Sequence, residues 1–154
     1  MERSEAEHRY GEAVTNHAET LERYFATYDE SGRAEVEKMA TGLFHPEAEF
    51  SPFLAREVDS RIYRGLEEVL GFFDELDATL DDVRYENREY RPVSDDIVVM
   101  LTRLTGTARG STVPIAQELG LVYEFEDGLA RRITAFGSHE EALKAGEERS
   151  HAEA

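Results

Sequence analysis

Residues 97–136, IVVMLTRLTGTARGSTVPIAQELGLVYEFEDGLARRITAF, form the stretch that decides the fold of this chain. It divides into three β-rich runs, Ile97–Arg109, Val113–Phe125 and Leu129–Phe136, which are separated by Gly110-Ser111 and Asp127-Gly128. An Asp-Gly pair between two β-rich runs is a strong signal of a hairpin turn. The sequence therefore predicts three consecutive antiparallel strands.

The middle run alternates between apolar and charged side chains, which predicts a sheet with one dry face and one wet face. Its even positions include Glu118 and Glu124, with Glu126 directly after the run, and its odd positions are apolar except for one glutamine: Val113, Ile115, Gln117, Leu119, Leu121, Tyr123 and Phe125. A dry face must be covered, and the helical segments that precede this stretch are the available cover.

Composition excludes several classes of function. The chain has 154 residues, no cysteine, and a formal net charge of -17 from 34 acidic and 17 basic side chains. Such an acidic surface repels nucleic acid, and the lack of cysteine excludes disulfides and thiol nucleophiles.

No histidine pair has helical metal-ligand spacing and no glycine-rich phosphate loop occurs, so we predict no metal and no cofactor. Since no apolar run approaches the length of a membrane span and no signal peptide is recognised, the sequence predicts an acidic cytoplasmic protein that binds no membrane.

The remaining chain predicts one domain over residues 16–148, a flexible polar leader over residues 1–15 and a disordered tail over residues 149–154. Apolar stripes predict a helix that begins at Asn16, a second over Arg33–Phe44 and a third that begins at Gly65. Strands are predicted at Ala48–Phe53 and Val83–Val93, and a last, short helix follows Ser138. This order predicts an α+β fold: a cone-shaped half-barrel of a curved, mixed but mostly antiparallel sheet with three helices from the N-terminal half on its concave face.

Three segments carry a resemblance to a known group of proteins. They are LFHPEAEF at residues 43–50, YRGLEEV at residues 63–69 and YEFEDG at residues 123–128, and the ending EEALKAG at residues 140–146 also matches. The chain resembles the nuclear transport factor 2-like superfamily, in its SnoaL-like and ketosteroid isomerase-like branch. This resemblance implies a pocket between the concave sheet face and the helices, and it covers isomerases, hydrolases, cyclases and proteins without catalysis.

Two residues are the candidates for catalysis. Arg103 shares a row with the apolar residues Val99 and Leu101, so we expect its guanidinium to point into the pocket toward a ligand oxygen or a structural acid. Tyr24 is similar in position to the tyrosine that donates to the oxyanion in ketosteroid isomerases, although a buried helical tyrosine also serves as plain core.

The same resemblance shows which acids are missing. The catalytic aspartate of the isomerases falls at Ser51 or Pro52, and their second oxyanion-hole acid falls near Leu121, so their mechanism is not expected here. Limonene epoxide hydrolase has an arginine between two aspartates. Of these three residues only the arginine has a counterpart in this chain, Arg103.

Two functions follow from these observations. In the first, the protein binds or transforms a small cyclic or polyketide-like molecule, and Arg103 and Tyr24 orient this molecule. The pocket that holds it is lined by Gln117, Phe50, Leu101, Thr105, Leu121 and Tyr123. In the second, it is a non-catalytic module with a filled pocket. In either case we expect a homodimer through the convex sheet face, with apolar contacts from Val98, Met100, Val122 and Phe136. The volume of the pocket discriminates between the two functions.

Overall fold

The computed structural model describes the backbone of residues 2–52 and 62–153 and the side chains of residues 17–52 and 62–152. The described part of the chain contains four helices and six strands. In chain order they are α1 (Glu2–Ser31), α2 (Arg33–Leu43), β1 (Phe44–Ser51), β2 (Tyr63–Arg64), α3 (Leu66–Thr79), β3 (Leu80–Ser94), β4 (Ile97–Ala108), β5 (Pro114–Glu126), β6 (Leu129–Phe136) and α4 (His139–Glu153).

The six strands form one mixed sheet in the order β2-β1-β6-β5-β4-β3. Strands β3 to β6 pair antiparallel in sequence order, which confirms the predicted meander, whereas β1 pairs parallel with β6. Asp127 and Gly128 both have positive φ, 55° and 79°, as the turn of a tight hairpin requires. The sheet is curved and does not close, so the predicted α+β cone is confirmed.

Helices cover both faces of the sheet. On the concave face, α1, α2 and α3 contribute Leu21, Ala40 and Val69 to the main core, together with the inward rows of β4, β5 and β6. On the outer face, α4 packs through Ala142 over a smaller apolar cluster. A Cβ at Gly120 would lie 2.4 Å from the Cβ of Ala142, so the absence of a side chain at position 120 allows α4 to approach the sheet closely.

The first half of β4 is buried on both faces. Ile97, Val98, Val99, Met100 and Leu101 are all between 0% and 3% exposed, so burial does not distinguish the two rows of this strand. Pairing with β5 separates its two rows: Leu104 faces Gln117 in the inward row, and Arg103 faces Glu118 in the outward row. The even-numbered residues of β4 therefore point into the cone.

Several predicted boundaries were wrong. Helix α1 begins at Glu2 rather than at Asn16, and β1 begins at Phe44, where the backbone becomes extended. Phe53, the predicted end of β1, lies outside the described residues. The tail predicted to be disordered is helical to Glu153, and Arg149 in it holds Glu124 at 3.1 Å.

Candidate functional site

A cavity of about 500 Å³ lies between the concave sheet face and the helices α1, α2 and α3. Ten aromatic side chains contribute to its wall: Tyr24, Phe25, Tyr28, Phe44, Phe50, Tyr63, Phe72, Phe73, Tyr85 and Tyr123. The helical stripe of α1 supplies three of them, and the inward rows of the strands supply most of the others. The wall is therefore apolar, with polar groups at a few points.

The aromatic rings support one another through edge and tilted contacts. The rings of Phe50 and Phe72 lie 5.0 Å apart between their centroids, and those of Tyr63 and Phe72 lie 5.2 Å apart. On the other side, Tyr24 packs edge-on against Phe44 at 6.0 Å. Such pairs add to the stabilisation that burial already gives, so these rings hold the cavity wall in place.

Charged residues lie at one end of the cavity. Arg33, at the start of α2, is 16% exposed and lies 2.7 Å from Asp77 and 2.9 Å from Asp74 of α3, and 3.2 Å from Glu37. Its guanidinium also donates to the carbonyl of Leu70 at 3.0 Å. One cation therefore meets three carboxylates, and this end of the cavity has no surplus positive charge.

Four tyrosines of α1, β3 and β5 line the cavity: Tyr24, Tyr28, Tyr85 and Tyr123. Burial raises the pKa of Tyr24 to about 12, and burial also raises the pKa values of Tyr85 and Tyr123. The hydroxyl of Tyr28 donates to the carbonyl of Val83 at 3.2 Å. These groups stay protonated at neutral pH and are hydrogen-bond donors.

Five of the eight site residues expected from the sequence line the cavity: Tyr24, Phe50, Gln117, Leu121 and Tyr123. The amide nitrogen of Gln117 donates to the backbone carbonyls of Glu118 at 2.8 Å and Gly137 at 3.3 Å. The side-chain nitrogen of Gln117 therefore has protein partners, and the backbone holds it beside the cavity.

The expected positions of Arg103, Leu101 and Thr105 were wrong. All three belong to the outward row of β4, and Arg103 is exposed between the register positions of Glu86 and Glu118. Leu101 is buried in the cluster beneath α4. The physical reason is the parity of the β4–β5 pairing, which assigns the even-numbered residues of β4 to the concave face.

The four residues expected to form a dimer contact are also placed elsewhere. Val98 and Met100 belong to the core on the concave face, whereas Val122 and Phe136 lie in the cluster that α4 covers. Each is at most 8% exposed within the single chain. These four residues therefore give no support to the predicted dimerisation through the convex face.

Sequence reasoning missed the polar end of the cavity and part of its aromatic wall. Arg33, Glu75 and Asp77 read as ordinary charged positions of amphipathic helices, and Phe72 stood beside the predicted stripe of α3. One signal was available: consecutive Phe72 and Phe73 widen the apolar face of α3 beyond a single stripe.

Two other classes of site were searched for. In residues 17–52 and 62–152, no three histidine, aspartate or glutamate side chains are grouped so that they could hold a metal ion. The helices of the described ranges include none with the length and apolar character that crossing a membrane requires.

Comparison with known proteins gives a family and a set of similar folds. Residues 21–133 match the family described as the SnoaL-like domain. No curated protein matches the chain. Among solved structures, an NTF2-like protein of unknown function from Burkholderia pseudomallei has a TM-score of 0.65 at 15% identity, with 85% of this chain and 97% of that chain covered.

Two further structures are similar at the level of the fold. A phenazine biosynthesis-related protein from Pseudomonas aeruginosa has a TM-score of 0.66 at 16% identity, with 90% of each chain covered. TerC, which was co-crystallised with polyporic acid, has a TM-score of 0.63 at 17% identity, with 86% of this chain and 98% of that chain covered.

Proposed function

Because this chain belongs to the SnoaL-like domain family, we propose that it binds a small cyclic, polyketide-like compound in the cavity between the concave sheet face and the three N-terminal helices. The observation that carries the proposal is the cavity of about 500 Å³ with ten aromatic side chains in its wall. Ligand pockets of small molecules have volumes of roughly 300–1,000 Å³ and are mostly apolar with a few polar groups.

The chemistry of the wall favours a flat, conjugated ligand. Phenyl and phenol rings bury large apolar areas and stack or make edge contacts with other rings. The polar side chains of the lining are few beside the apolar ones: Arg33 and Asp77 at the α2–α3 contact, Glu75 of α3, Gln117 of β5, and several tyrosines. The similar protein TerC, which was co-crystallised with polyporic acid, supports the proposal.

In a reaction, Tyr24 is the residue we assign to electrostatic stabilisation. Tyr24 lines the cavity, and because burial raises its pKa to about 12, its hydroxyl is a protonated hydrogen-bond donor at neutral pH. A donor in a dry site stabilises an oxygen that gains negative charge in the transition state. The base in such a reaction is a water molecule or the substrate itself.

Binding without turnover is the second candidate function. The positions that match the acids of ketosteroid isomerases are Ser51 or Pro52 for the first acid and Leu121 for the second, and Pro52 and Leu121 line the cavity as apolar side chains. The cavity thus has no carboxylate at either of these two places. A filled pocket, by contrast, is disfavoured by the volume of about 500 Å³.

A cavity-filling variant tests the proposed function. Ala135 lines the cavity, so Ala135→Phe places a ring inside it, whereas Ala116→Phe places the same ring at an exposed position of β5. We expect cyclic ketones, lactones, epoxides or aromatic acids of suitable shape to raise the unfolding midpoint of the natural protein and of Ala116→Phe, but not of Ala135→Phe. The unliganded midpoint of each variant is its own reference.

Equal midpoint shifts in both variants would place the ligand elsewhere on the protein. The same compounds are then followed for chemical change. Turnover that is lost in Tyr24→Phe supports catalysis, and binding without turnover supports the second candidate.

A further inference from the structure

We propose that the hydroxyl of Tyr123 recognises the ligand by donating a hydrogen bond to an uncharged ring ketone or quinone oxygen. This inference rests on the proposed function and goes further, since it names the recognising residue and the chemical class of the ligand. Its basis is a tyrosine in the wall of the cavity whose hydroxyl makes no hydrogen bond to the described residues.

Tyr123 is 5% exposed and lies on the inward row of β5, where it lines the cavity. Its ring packs against that of Phe125 at 6.4 Å between centroids, and it belongs to the main apolar core. Within residues 17–52 and 62–152 its hydroxyl has no hydrogen-bond partner, although the phenol of a buried tyrosine usually finds one. A ligand oxygen in the cavity would accept the hydrogen bond that none of these residues takes.

Tyr28, another tyrosine of the cavity wall, shows the opposite condition. Its hydroxyl is already committed to the carbonyl of Val83 at 3.2 Å. Tyr123 is therefore free to donate toward the cavity, and burial raises its pKa well above the ordinary value, so that it remains a protonated donor. Carbonyl oxygens of ring ketones and quinones accept hydrogen bonds and donate none, which complements such a group.

The charges at the cavity favour an uncharged oxygen over a carboxylate. Among the described lining residues Arg33 is the one cation, and its guanidinium is held by Asp77, Asp74 and Glu37. Glu75 and Asp77 also line the cavity. An anionic ligand would lose its hydration without gaining a free cation, whereas a neutral ketone loses much less.

Four compounds of one shape test this inference: fluorenone, fluorene, fluorenol and fluorene carboxylate. We expect fluorenone to bind the natural protein about 10-fold more tightly than fluorene, which corresponds to one good hydrogen bond, and fluorene carboxylate to bind least well. In Tyr123→Phe the preference for fluorenone over fluorene should disappear, while the affinity for fluorene stays the same. The matched control is Tyr90→Phe, which removes a phenol oxygen from a tyrosine of β3 outside the cavity lining and should leave the preference intact.

Two further readouts are independent of the affinity ratio. The carbonyl stretching band of bound fluorenone should lie at a lower frequency in the natural protein than in Tyr123→Phe, because a donated hydrogen bond weakens the C=O bond. The unliganded variant Tyr123→Phe should have an unfolding midpoint close to or above that of the natural protein, since the hydroxyl it removes makes no hydrogen bond to the described residues. A clear fall in that midpoint would show a structural hydrogen bond and overturn the inference.

The outcomes separate this inference from the proposed function. Equal affinities for fluorenone and fluorene, or a preference that survives in Tyr123→Phe, would overturn the role of Tyr123 and leave the cavity as a ligand site. A preference for fluorenol or for the carboxylate would overturn the ligand class. Failure of all four compounds to bind would overturn both the aromatic ligand class and the recognition by Tyr123.

Discussion

Nη1 of Arg33 lies 2.7 Å from Oδ2 of Asp77, and this ion pair joins the first residue of α2 to the last turn of α3. Both residues line the cavity, and the guanidinium also lies 5.7 Å from the ring centre of Phe73. The contact therefore fixes the polar end of the candidate site.

Replacement of Arg33 should destabilise the fold. Arg33→Gln removes a guanidinium that is 16% exposed and contacts three carboxylates and the carbonyl of Leu70, so we expect the free energy of unfolding to fall by about 1–3 kcal/mol. The control in the same helix is Lys38→Gln, because Lys38 is 76% exposed and its pair with Glu35 at 3.1 Å is open to solvent. That variant should change stability by less than about 0.5 kcal/mol. Urea unfolding measures both, and similar values would show that the Arg33 cluster contributes no more than a surface pair.

Two glycines in helices should respond to alanine with opposite signs. A Cβ at Gly146 of α4 would lie 2.6 Å from Cγ2 of Val99, whereas a Cβ at Gly71 of α3 would meet nothing within 4 Å. Since Val99 is fully buried and cannot move away freely, Gly146→Ala should destabilise the protein by about 1–3 kcal/mol despite the better helix propensity of alanine. Gly71→Ala should stabilise it by about 0.5–1 kcal/mol. Thermal and urea unfolding of both variants test the pair, and stabilisation by Gly146→Ala would contradict the close approach of α4.

The titration of Tyr24 gives a prediction at alkaline pH. Burial raises its pKa from the ordinary 10.0 to about 12, so the folded state keeps the proton longer than the unfolded chain does. The stabilisation from Tyr24 is therefore complete below about pH 10 and is lost as the pH rises toward about 12. In Tyr24→Phe this component is absent, so the free energy of unfolding should fall less steeply above pH 10. Urea unfolding at a series of alkaline pH values measures the slopes, and identical slopes would contradict the burial of this hydroxyl.

His17 gives the corresponding prediction on the acid side. Its ring stacks on Phe125 with 4.1 Å between centroids, and burial lowers its pKa from 6.5 although Asp95 and Asp96 act in the opposite direction. The unfolded chain then takes up a proton before the folded state does, so this stabilisation is present above about pH 6.5 and is lost as the pH falls through the lowered pKa. His17→Phe keeps the stacking and should lose less stability just below pH 6.5 than the natural protein does. His151→Gln, at an exposed position of α4, should retain the natural profile.

Much of the fold was predictable from local patterns. The Asp127-Gly128 turn and the apolar row of odd positions in β5 predicted the meander, and the amphipathic stripes predicted α2 and α3 at nearly their observed bounds. The ends of the chain were predicted poorly, since long polar helices such as the first half of α1 carry no apolar stripe. The short strand β2 was missed because two residues give no periodicity.

The candidate site was predictable only where one face of an element was clearly apolar. Tyr24, Phe50, Gln117, Leu121 and Tyr123 lie on such stripes, and all five line the cavity. Strand β4 carries apolar residues on both faces, so its own sequence could not say which row looks inward. Arg103 was assigned to the cavity for that reason.

The sequence by itself determined the class of fold, the meander and the dry row of β5, because turn chemistry and side-chain periodicity are local properties. Tertiary structure alone decided which row of β4 lines the cavity. The loop between β4 and β5 sets their pairing so that Leu104 meets Gln117 and Arg103 meets Glu118, and a shift of one residue would exchange the two rows. The packing of α2 against α3 likewise decided that Arg33 and Asp77 meet, since they stand 44 residues apart in the chain.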